Sequence, residues 1–315
     1  MHPALSVIFF TVLSGMGYGL LFWAGVGALA GASPRALLAA LMLGVLSATV
    51  GLLSSLGHLG KPGRAWRAFS QWRTSWLSRE GVAAMLTYVP AFALGTALLP
   101  GMLSSQRLGD PVAPGFPGVI SAILLMVGAL ATVACTAMIY ASLKPVPAWR
   151  DPLVLPVYVA FSLVTGGLAF VALGGAHAVA RGPLAVAVIA AVVALARVKR
   201  RYWRRAVDAG LSMRRGDAIG LPAREASVFE RPHTDGNFVT REMVFVLARR
   251  HAHRLRQLAM LLFTLMPALC VAAAWLLSAT DGVLYAAAAL AALAGTFLER
   301  WLFFAEAKHL VSLYY

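Results

Sequence analysis

Long runs of apolar residues recur along this chain, and most are long enough to cross a lipid bilayer. Eight runs are found, at about residues 5–31, 35–57, 80–100, 117–143, 153–176, 183–196, 257–278 and 282–305. A membrane-spanning helix needs about 20 such residues, and the shorter sixth run is expected to continue helically through residues 198–205. Because lipid satisfies no backbone polar group, helices are the expected conformation. The sequence predicts an all-α fold: a polytopic membrane helix bundle with about eight transmembrane helices, forming one integral membrane domain over residues 1–315.

The composition excludes other protein classes. Only 12% of the residues are charged and 60% are hydrophobic, whereas soluble domains carry about 25% charged residues. Disordered and coiled-coil proteins are excluded for the same reason. Within the first run, Gly15 and Gly19 are four residues apart, a spacing that permits close helix packing. Cys135 and Cys270 both lie inside apolar runs, and two thiols are too few to hold an iron–sulfur cluster.

The net charge of +15 indicates membrane orientation and not a nucleic-acid partner. If the runs cross the membrane alternately, 24 of the 27 basic residues fall on one side. Fifteen of them lie in 197–256, between the sixth and seventh runs, and the remainder still divides nine against three. Basic loops stay in the cytoplasm. We therefore expect a membrane protein whose termini are both cytoplasmic, with 197–256 as a polar cytoplasmic loop and helix insertion.

The segment between the second and third runs combines residue types that suit redox chemistry. His58 closes the second run and Glu80 opens the third, with three tryptophans and five basic residues between them. A histidine and a carboxylate at one membrane depth can exchange protons with a redox ligand. Composition alone leaves a second interpretation open. The tryptophans then anchor the interface and the bases set topology, while Glu80 pairs with Arg79 and favours the helix N-terminus.

Residues 58–80 resemble the membrane anchor subunit of the dimethyl sulfoxide reductase family of molybdoenzymes, the polysulfide-reductase-like membrane subunits. Residues 2–19, 137–145 and 299–309 resemble the same family, so the resemblance spans nearly the whole chain. It implies an eight-helix subunit of the bacterial cytoplasmic (inner) membrane that holds a four-cluster ferredoxin-like iron–sulfur subunit and a molybdopterin catalytic subunit. Such a subunit exchanges electrons with membrane quinone, either ubiquinone or menaquinone, while the molybdopterin and the iron–sulfur clusters stay on the partner subunits.

The resemblance also implies site residues. The positions matched to quinone binding and proton relay are His58, Gly60, Arg64, Trp66 and Glu80. Trp66 replaces a phenylalanine of the family pattern, and Ala68 replaces a serine, which removes that hydroxyl from the site. For docking of the partner subunit we expect four further side chains of the segment, Arg67, Trp72, Arg73 and Arg79.

Haem is not expected on this chain, because no two histidines lie mid-span on facing helices. No metal site is expected either, so electrons have to arrive from a docked partner. In the last run, Glu299 and Glu306 are seven residues apart on one helix face, with Arg300 beside that face. Intramembrane charges suggest function, and a structural charge pair near the cytoplasmic end is the alternative interpretation.

Orientation separates the branches of the family. Dimethyl sulfoxide reductase-type complexes oxidise quinol and carry periplasmic catalytic subunits on the face that bears the His58–Glu80 segment. Here the charge count places that face in the cytoplasm. Residues 230–242 and 299–315 look more like the anchor of the cytoplasm-facing, membrane-bound sulfite dehydrogenase. We therefore expect an anchor of a sulfite:quinone oxidoreductase. A polytopic transporter is the alternative from another class, although charges at mid-membrane depth are nearly absent.

Overall fold

The computed structural model describes residues 4–104, 115–177, 179–208, 210–211, 213–222, 224–230, 247–277 and 281–313. Within these ranges the regular structure is helical and contains no strand. Eight helices are long and apolar enough to cross a membrane. The predicted all-α, eight-span membrane bundle is therefore confirmed.

The helices follow the apolar runs closely. They are α1 Leu5–Leu29, α2 Pro34–Ser54, α3 Trp76–Ser104, α4 Phe116–Ala141, α5 Val154–Ala172, α6 Arg181–Tyr202, α7 Arg215–Ala218, α8 Leu247–Met260, α9 Met266–Leu276 and α10 Asp281–Ala305. A π-helical turn, Leu261–Leu265, joins α8 to α9 into one span, and another, Trp203–Val207, extends α6. The expected helical continuation of the sixth run is thus confirmed. Short 3₁₀ helices occupy Ser55–His58, Pro62–Phe69, Pro147–Arg150 and Leu310–Leu313.

Helix α1 lies at the centre of the bundle and packs against α2, α4, α5 and α10. Its seam with α5 is unusually close. A Cβ atom at Gly19 would collide with the carbonyl group of Ser162, and a Cβ at Gly166 would collide with the backbone of Gly19. The Ser162 hydroxyl also donates a hydrogen bond to the Gly15 carbonyl, at 2.6 Å. The close packing predicted from this spacing is confirmed at Gly19, whereas an added Cβ at Gly15 would meet no atom within 4 Å.

The loops 55–75 and 142–153 and the segment 203–230 lie at one end of the bundle, which we call the basic end. Helices α2, α4, α6 and α10 end there, and α1, α3, α5 and α8 begin there. Contacts across this end join the elements: the Tyr202 hydroxyl donates to the Ala148 carbonyl at 3.2 Å. The Trp149 indole N–H donates to the Phe303 carbonyl, also at 3.2 Å. Residues one or two turns from these helix ends therefore lie at similar distances from the basic end.

Candidate functional site

The buried carboxyl group of Glu80 is the centre of the candidate site. Glu80 is the fifth residue of α3, so it lies about 6 Å inside the helix start, and it is only 3% exposed. Its Oε1 accepts a hydrogen bond from the Thr136 hydroxyl on α4. The same hydroxyl lies 3.1 Å from the Thr132 carbonyl oxygen. Thr136 can therefore donate to an ionised Glu80, or accept from a protonated Glu80 while donating to Thr132.

Residues 59–75, which we call the interfacial segment, cover the start of α3. The Ser78 hydroxyl, in the first turn of α3, donates to the carbonyl oxygen of Ala68. The Phe69 ring lies against Gly81, where an added Cβ would stand 3.1 Å from a ring carbon. At position 68 it is thus the main chain, and not the side chain, that joins the segment to α3. The direct route from Glu80 to the basic end passes under this segment.

Arg79 clamps the interfacial segment to α3. Its Nε donates to the Trp72 carbonyl at 3.0 Å and its Nη2 to the Arg73 carbonyl at 2.6 Å. Its guanidinium carbon also lies 4.3 Å from the centre of the Trp76 ring, within cation–π range. Among the described contacts, Arg79 therefore binds backbone carbonyls while Glu80 turns inward to α4. The ion pair considered as the alternative for these two neighbours is not formed.

The remaining basic side chains of the segment point outward. Arg64, Arg67 and Arg73 are all exposed, as are Trp66 at 66% and Trp72 at 53%. The Arg67 guanidinium carbon lies 5.6 Å from the Trp66 ring centre, and that of Arg73 lies 5.5 Å from the Trp72 ring centre. The segment thus presents paired cations and indole rings that are free to meet a lipid headgroup, a ligand or a partner.

The structure gives less information about two predicted site residues, His58 and Gly60. His58 ends the 3₁₀ helix Ser55–His58, and its side chain lies outside the described part. Gly60 is exposed, and an added Cβ would meet no atom within 4 Å. Neither steric crowding nor a positive φ requires glycine at position 60. The roles expected of these two residues remain predictions.

The structure adds a buried ion cluster that the sequence analysis missed in part. Glu299 on α10 pairs with Lys199 on α6 and, at 2.5 Å, with its neighbour Arg300. The side chains of Lys199 and Glu299 are 0% exposed and that of Arg300 is 2% exposed. The charge pair considered for Glu299 is therefore present. The charge count assigned Lys199 to the cytoplasmic surface, but the chain buries it one turn before the end of α6.

Aromatic rings surround the two buried cations. The Lys199 Nζ lies 4.2 Å from the Tyr202 ring centre and 5.0 Å from that of Trp203. The Arg300 guanidinium carbon lies 4.0 Å from the Tyr158 ring centre. Desolvated cation–π contacts of this kind contribute about 2 kcal/mol each. They offset part of the cost of removing the ions from water.

Glu306, one residue beyond α10, belongs to a separate ion pair. Its Oε1 accepts from Arg256 Nε at 2.8 Å, and Arg256 Nη1 donates to Asp208 at 2.8 Å. Burial raises the pKa of the Glu306 carboxyl above its ordinary value, although the Arg256 guanidinium acts in the opposite direction. Glu299 and Glu306, close in sequence, are thus held by different basic residues.

The chain is similar to known proteins over nearly its whole length. The family model described as DMSO reductase anchor subunit (DmsC) matches residues 1–305. A sulfite dehydrogenase subunit from Allochromatium vinosum is 33% identical over 335 aligned residues, which cover 100% of this chain and 99% of that protein.

Proposed function

The chain belongs to the DMSO reductase anchor subunit family, and we propose that it is the quinone-reactive anchor of a sulfite:quinone oxidoreductase. A docked iron–sulfur subunit would deliver two electrons that a molybdopterin subunit takes from sulfite. The partner half-reaction converts sulfite and water to sulfate, two protons and two electrons. Quinone plus two electrons and two protons then gives quinol. The work of this chain is to place the quinone and supply its protons.

The buried Glu80–Thr136 pair is the observation that carries the proposal. A proton-exchanging carboxyl group has to be stable in both protonation states, and the Thr136 hydroxyl satisfies each of them. Burial keeps bulk water away from the exchange. The site lies directly beneath the interfacial segment, where we expect a quinone head group to approach it.

The head group has to approach from outside the helix core. The cavity that borders Thr136 measures about 20 Å³, which is room for water but not for a quinone ring. Arg64 and Trp66 are exposed on the interfacial segment. They offer a guanidinium donor for a quinone carbonyl and an aromatic face for the ring. We assign them, together with His58 and Gly60, to quinone binding.

The outward-facing cations and indoles suit a protein partner. Arg67 and Arg73 carry positive charge next to Trp66 and Trp72, and Trp and Arg dominate the binding energy of many interfaces. We assign these residues to docking of the iron–sulfur subunit. Arg79 supports the same surface from below by holding the backbone of the interfacial segment.

Sulfite is proposed as the substrate because the full-length relative is a sulfite dehydrogenase subunit. The family name favours a second candidate, an anchor that oxidises quinol for a reductase with periplasmic catalytic subunits. The two differ in the side of the membrane that the basic end faces. The excess of basic residues at that end supports a cytoplasmic location in the inner membrane.

Cysteine labelling in whole cells tests this orientation. In a variant whose native cysteines are replaced by alanine, Ser70→Cys places a thiol on the exposed interfacial segment and Arg35→Cys places one at the opposite end. A membrane-impermeant maleimide is expected to label position 35 in intact cells and position 70 only in inside-out vesicles. The reverse pattern would favour the periplasmic reductase arrangement.

Quinone turnover tests the role of Glu80. In the purified complex, Glu80→Gln is expected to preserve assembly and iron content while lowering kcat for sulfite-dependent quinone reduction by about 100-fold, as for loss of a proton-transfer group. Glu225→Gln, an exposed carboxyl at the same end, is the matched control. Reduction of a soluble dye by the iron–sulfur subunit should not change in either variant.

The same preparation separates the alternatives. Wild-type quinone turnover by an intact Glu80→Gln complex would refute the proton-exchange role. A complex that contains molybdenum and iron but does not oxidise sulfite would refute the assignment of sulfite as the substrate. A chain that purifies without any metal-bearing partner would favour the transporter interpretation.

A further inference from the structure

A small cavity with both polar and apolar lining lies inside the bundle, between α1, α4, α5 and α10. It measures about 20 Å³, and its polar lining includes Thr11, Ser14, Thr136, Thr165, Thr296 and Arg300. The Ser14 and Thr296 hydroxyls donate to carbonyls of their own helices at 2.6 and 2.7 Å. Their oxygen lone pairs therefore remain available as acceptors. A cavity of this size has room for one water molecule, and these hydroxyls together with Arg300 would be its hydrogen-bond partners.

Arg300 brings incompletely satisfied donors to this cavity, beside the Tyr158 hydroxyl, which interacts with it and also lines the cavity. Its Nε is engaged by Glu299, but its Nη1 and Nη2 are buried and make no hydrogen bond of good geometry within the described residues. Unsatisfied buried guanidinium N–H groups are costly. Water in the cavity would satisfy them, because both Arg300 and the hydroxyl oxygens line the same space.

The cavity joins the two buried polar sites. On one side, Thr136 lines it and binds Glu80. On the other, Arg300 lines it and binds Glu299, which in turn binds Lys199. Polar groups that bind one another or line the same cavity therefore extend from α3 through α4 and α10 to α6. Lys199 lies three residues before the end of α6, about 5 Å along the axis from the basic end.

The cluster contains a group that can exchange protons. Glu299 and Arg300 alone form a neutral pair. Lys199 adds a second cation at essentially zero exposure, and the nearby Glu306 carboxyl is a further negative charge that acts on it. A lysine next to a carboxylate is able to take up or release a proton without leaving the cluster completely unpaired.

We infer that these groups form a proton route, in which the cavity water and the Lys199–Glu299–Arg300 cluster connect Glu80 to the basic end. The inference rests on the proposed function, since it supplies the protons that Glu80 passes to quinone. Each quinone consumes two protons with its two electrons, and each proton that leaves Glu80 is replaced through the cavity. The route bypasses the interfacial segment, which covers the direct path.

Lys199→Met is the decisive variant. It removes the protonatable amine but leaves Glu299 and Arg300 as a one-to-one pair, and a methionine side chain suits the surrounding rings. We expect normal assembly and quinone KM, with kcat for quinone reduction lowered at least 5-fold and a larger slowing in D₂O than in the wild type. Lys144→Met, which changes an exposed lysine at the same end, should leave all these values unchanged.

A second pair of variants tests the cavity without altering charge. Thr296→Val removes one lining hydroxyl and keeps the side-chain shape, and we expect about a 3-fold loss of kcat with an increased D₂O effect. Thr96→Val, at an exposed position of α3, is its control. If Lys199→Met fails to assemble, Thr296→Val alone tests the proton route. Wild-type quinone turnover in Thr296→Val would then refute the route.

The outcomes distinguish the two proposals. If Glu80→Gln slows quinone turnover but Lys199→Met and Thr296→Val do not, the route is wrong and the proposed function stands. If Glu80→Gln itself has no effect, the proposed function fails first. Proton supply through the cluster is supported when every one of the three variants that assembles, Thr296→Val included, lowers kcat and both control variants do not.

Discussion

The seam between α1 and α5 allows a sharp test of the fold, with the substitution Gly19→Ala. The added methyl group would overlap the carbonyl group of Ser162 and stand 2.9 Å from its hydroxyl oxygen. Because the obstacle is mostly backbone, no side-chain rotation relieves it. The two helices have to separate, which also disturbs the hydrogen bond from Ser162 to the Gly15 carbonyl.

The size of the effect follows from three contributions. Overpacking of a close core contact costs about 1–3 kcal/mol, and a backbone collision belongs at the upper end of that range. Weakening the Ser162 hydrogen bond costs about 1 kcal/mol. Replacing glycine by alanine inside a helix returns about 1 kcal/mol. We therefore expect Gly19→Ala to lower the free energy of unfolding by about 3 kcal/mol.

Gly15→Ala is the matched control, because it lies one turn earlier on α1 and its added Cβ would meet no atom within 4 Å. It should be neutral or stabilising by up to about 1 kcal/mol. Unfolding is followed by tryptophan fluorescence in mixed micelles of increasing sodium dodecyl sulfate content. Gly19→Ala should unfold at the lowest detergent fraction. Equal stability of the two variants would refute the close α1–α5 seam.

Three further predictions concern single positions. In Trp149→Phe an aromatic ring still faces Phe303, whose ring centre lies 5.6 Å from that of Trp149. The variant loses the indole hydrogen bond to the Phe303 carbonyl, so the same micelle titration should show a free energy of unfolding lower by about 1 kcal/mol. Gly60→Ala should change stability by less than about 0.5 kcal/mol, so any loss of quinone turnover in that variant reports on ligand or partner contacts. Burial raises the pKa of Glu306 above its ordinary 4.5 despite Arg256, so the folded state holds this proton to higher pH than the unfolded state. The stability that Glu306 contributes is present below pH 4.5 and is lost as the pH rises through the folded-state pKa. The thermal unfolding midpoint should therefore fall less steeply with rising pH in Glu306→Gln than in the wild type. Identical slopes in the two proteins would contradict this.

Hydropathy predicted the spans well but placed some helix ends too far inside. The third run was expected to start at residue 80, whereas α3 begins at Trp76. The seventh was expected from residue 257, whereas α8 begins at Leu247. Hydropathy detects the lipid-embedded part of a helix. The polar turns that continue it into the interface carry no apolar signal.

The sequence predicted the kinds of residue at the candidate site better than their contacts. A carboxyl group at the start of α3 is visible in the sequence, but its partner Thr136 lies 56 residues away and no local pattern joins them. Lys199 has several basic neighbours, so its charge suggests a surface position. Its burial depends on which face of α6 meets α10, and a single sequence does not contain that information.

Burial changes the meaning of the one-sided charge. By sequence, 24 of the 27 basic residues and 10 of the 12 acidic residues belong to the basic end. Of these acids, Glu80, Glu299 and Glu306 are buried, whereas the buried bases include only Lys199 and Arg300 among the described residues. Folding therefore withdraws a larger share of the acids than of the bases, and the surface is more strongly basic relative to its acids than the sequence count indicates. A partner with an acidic face is favoured at such an end, and since exposed charges are screened by salt, its release by rising ionic strength is the expected sign of this attraction.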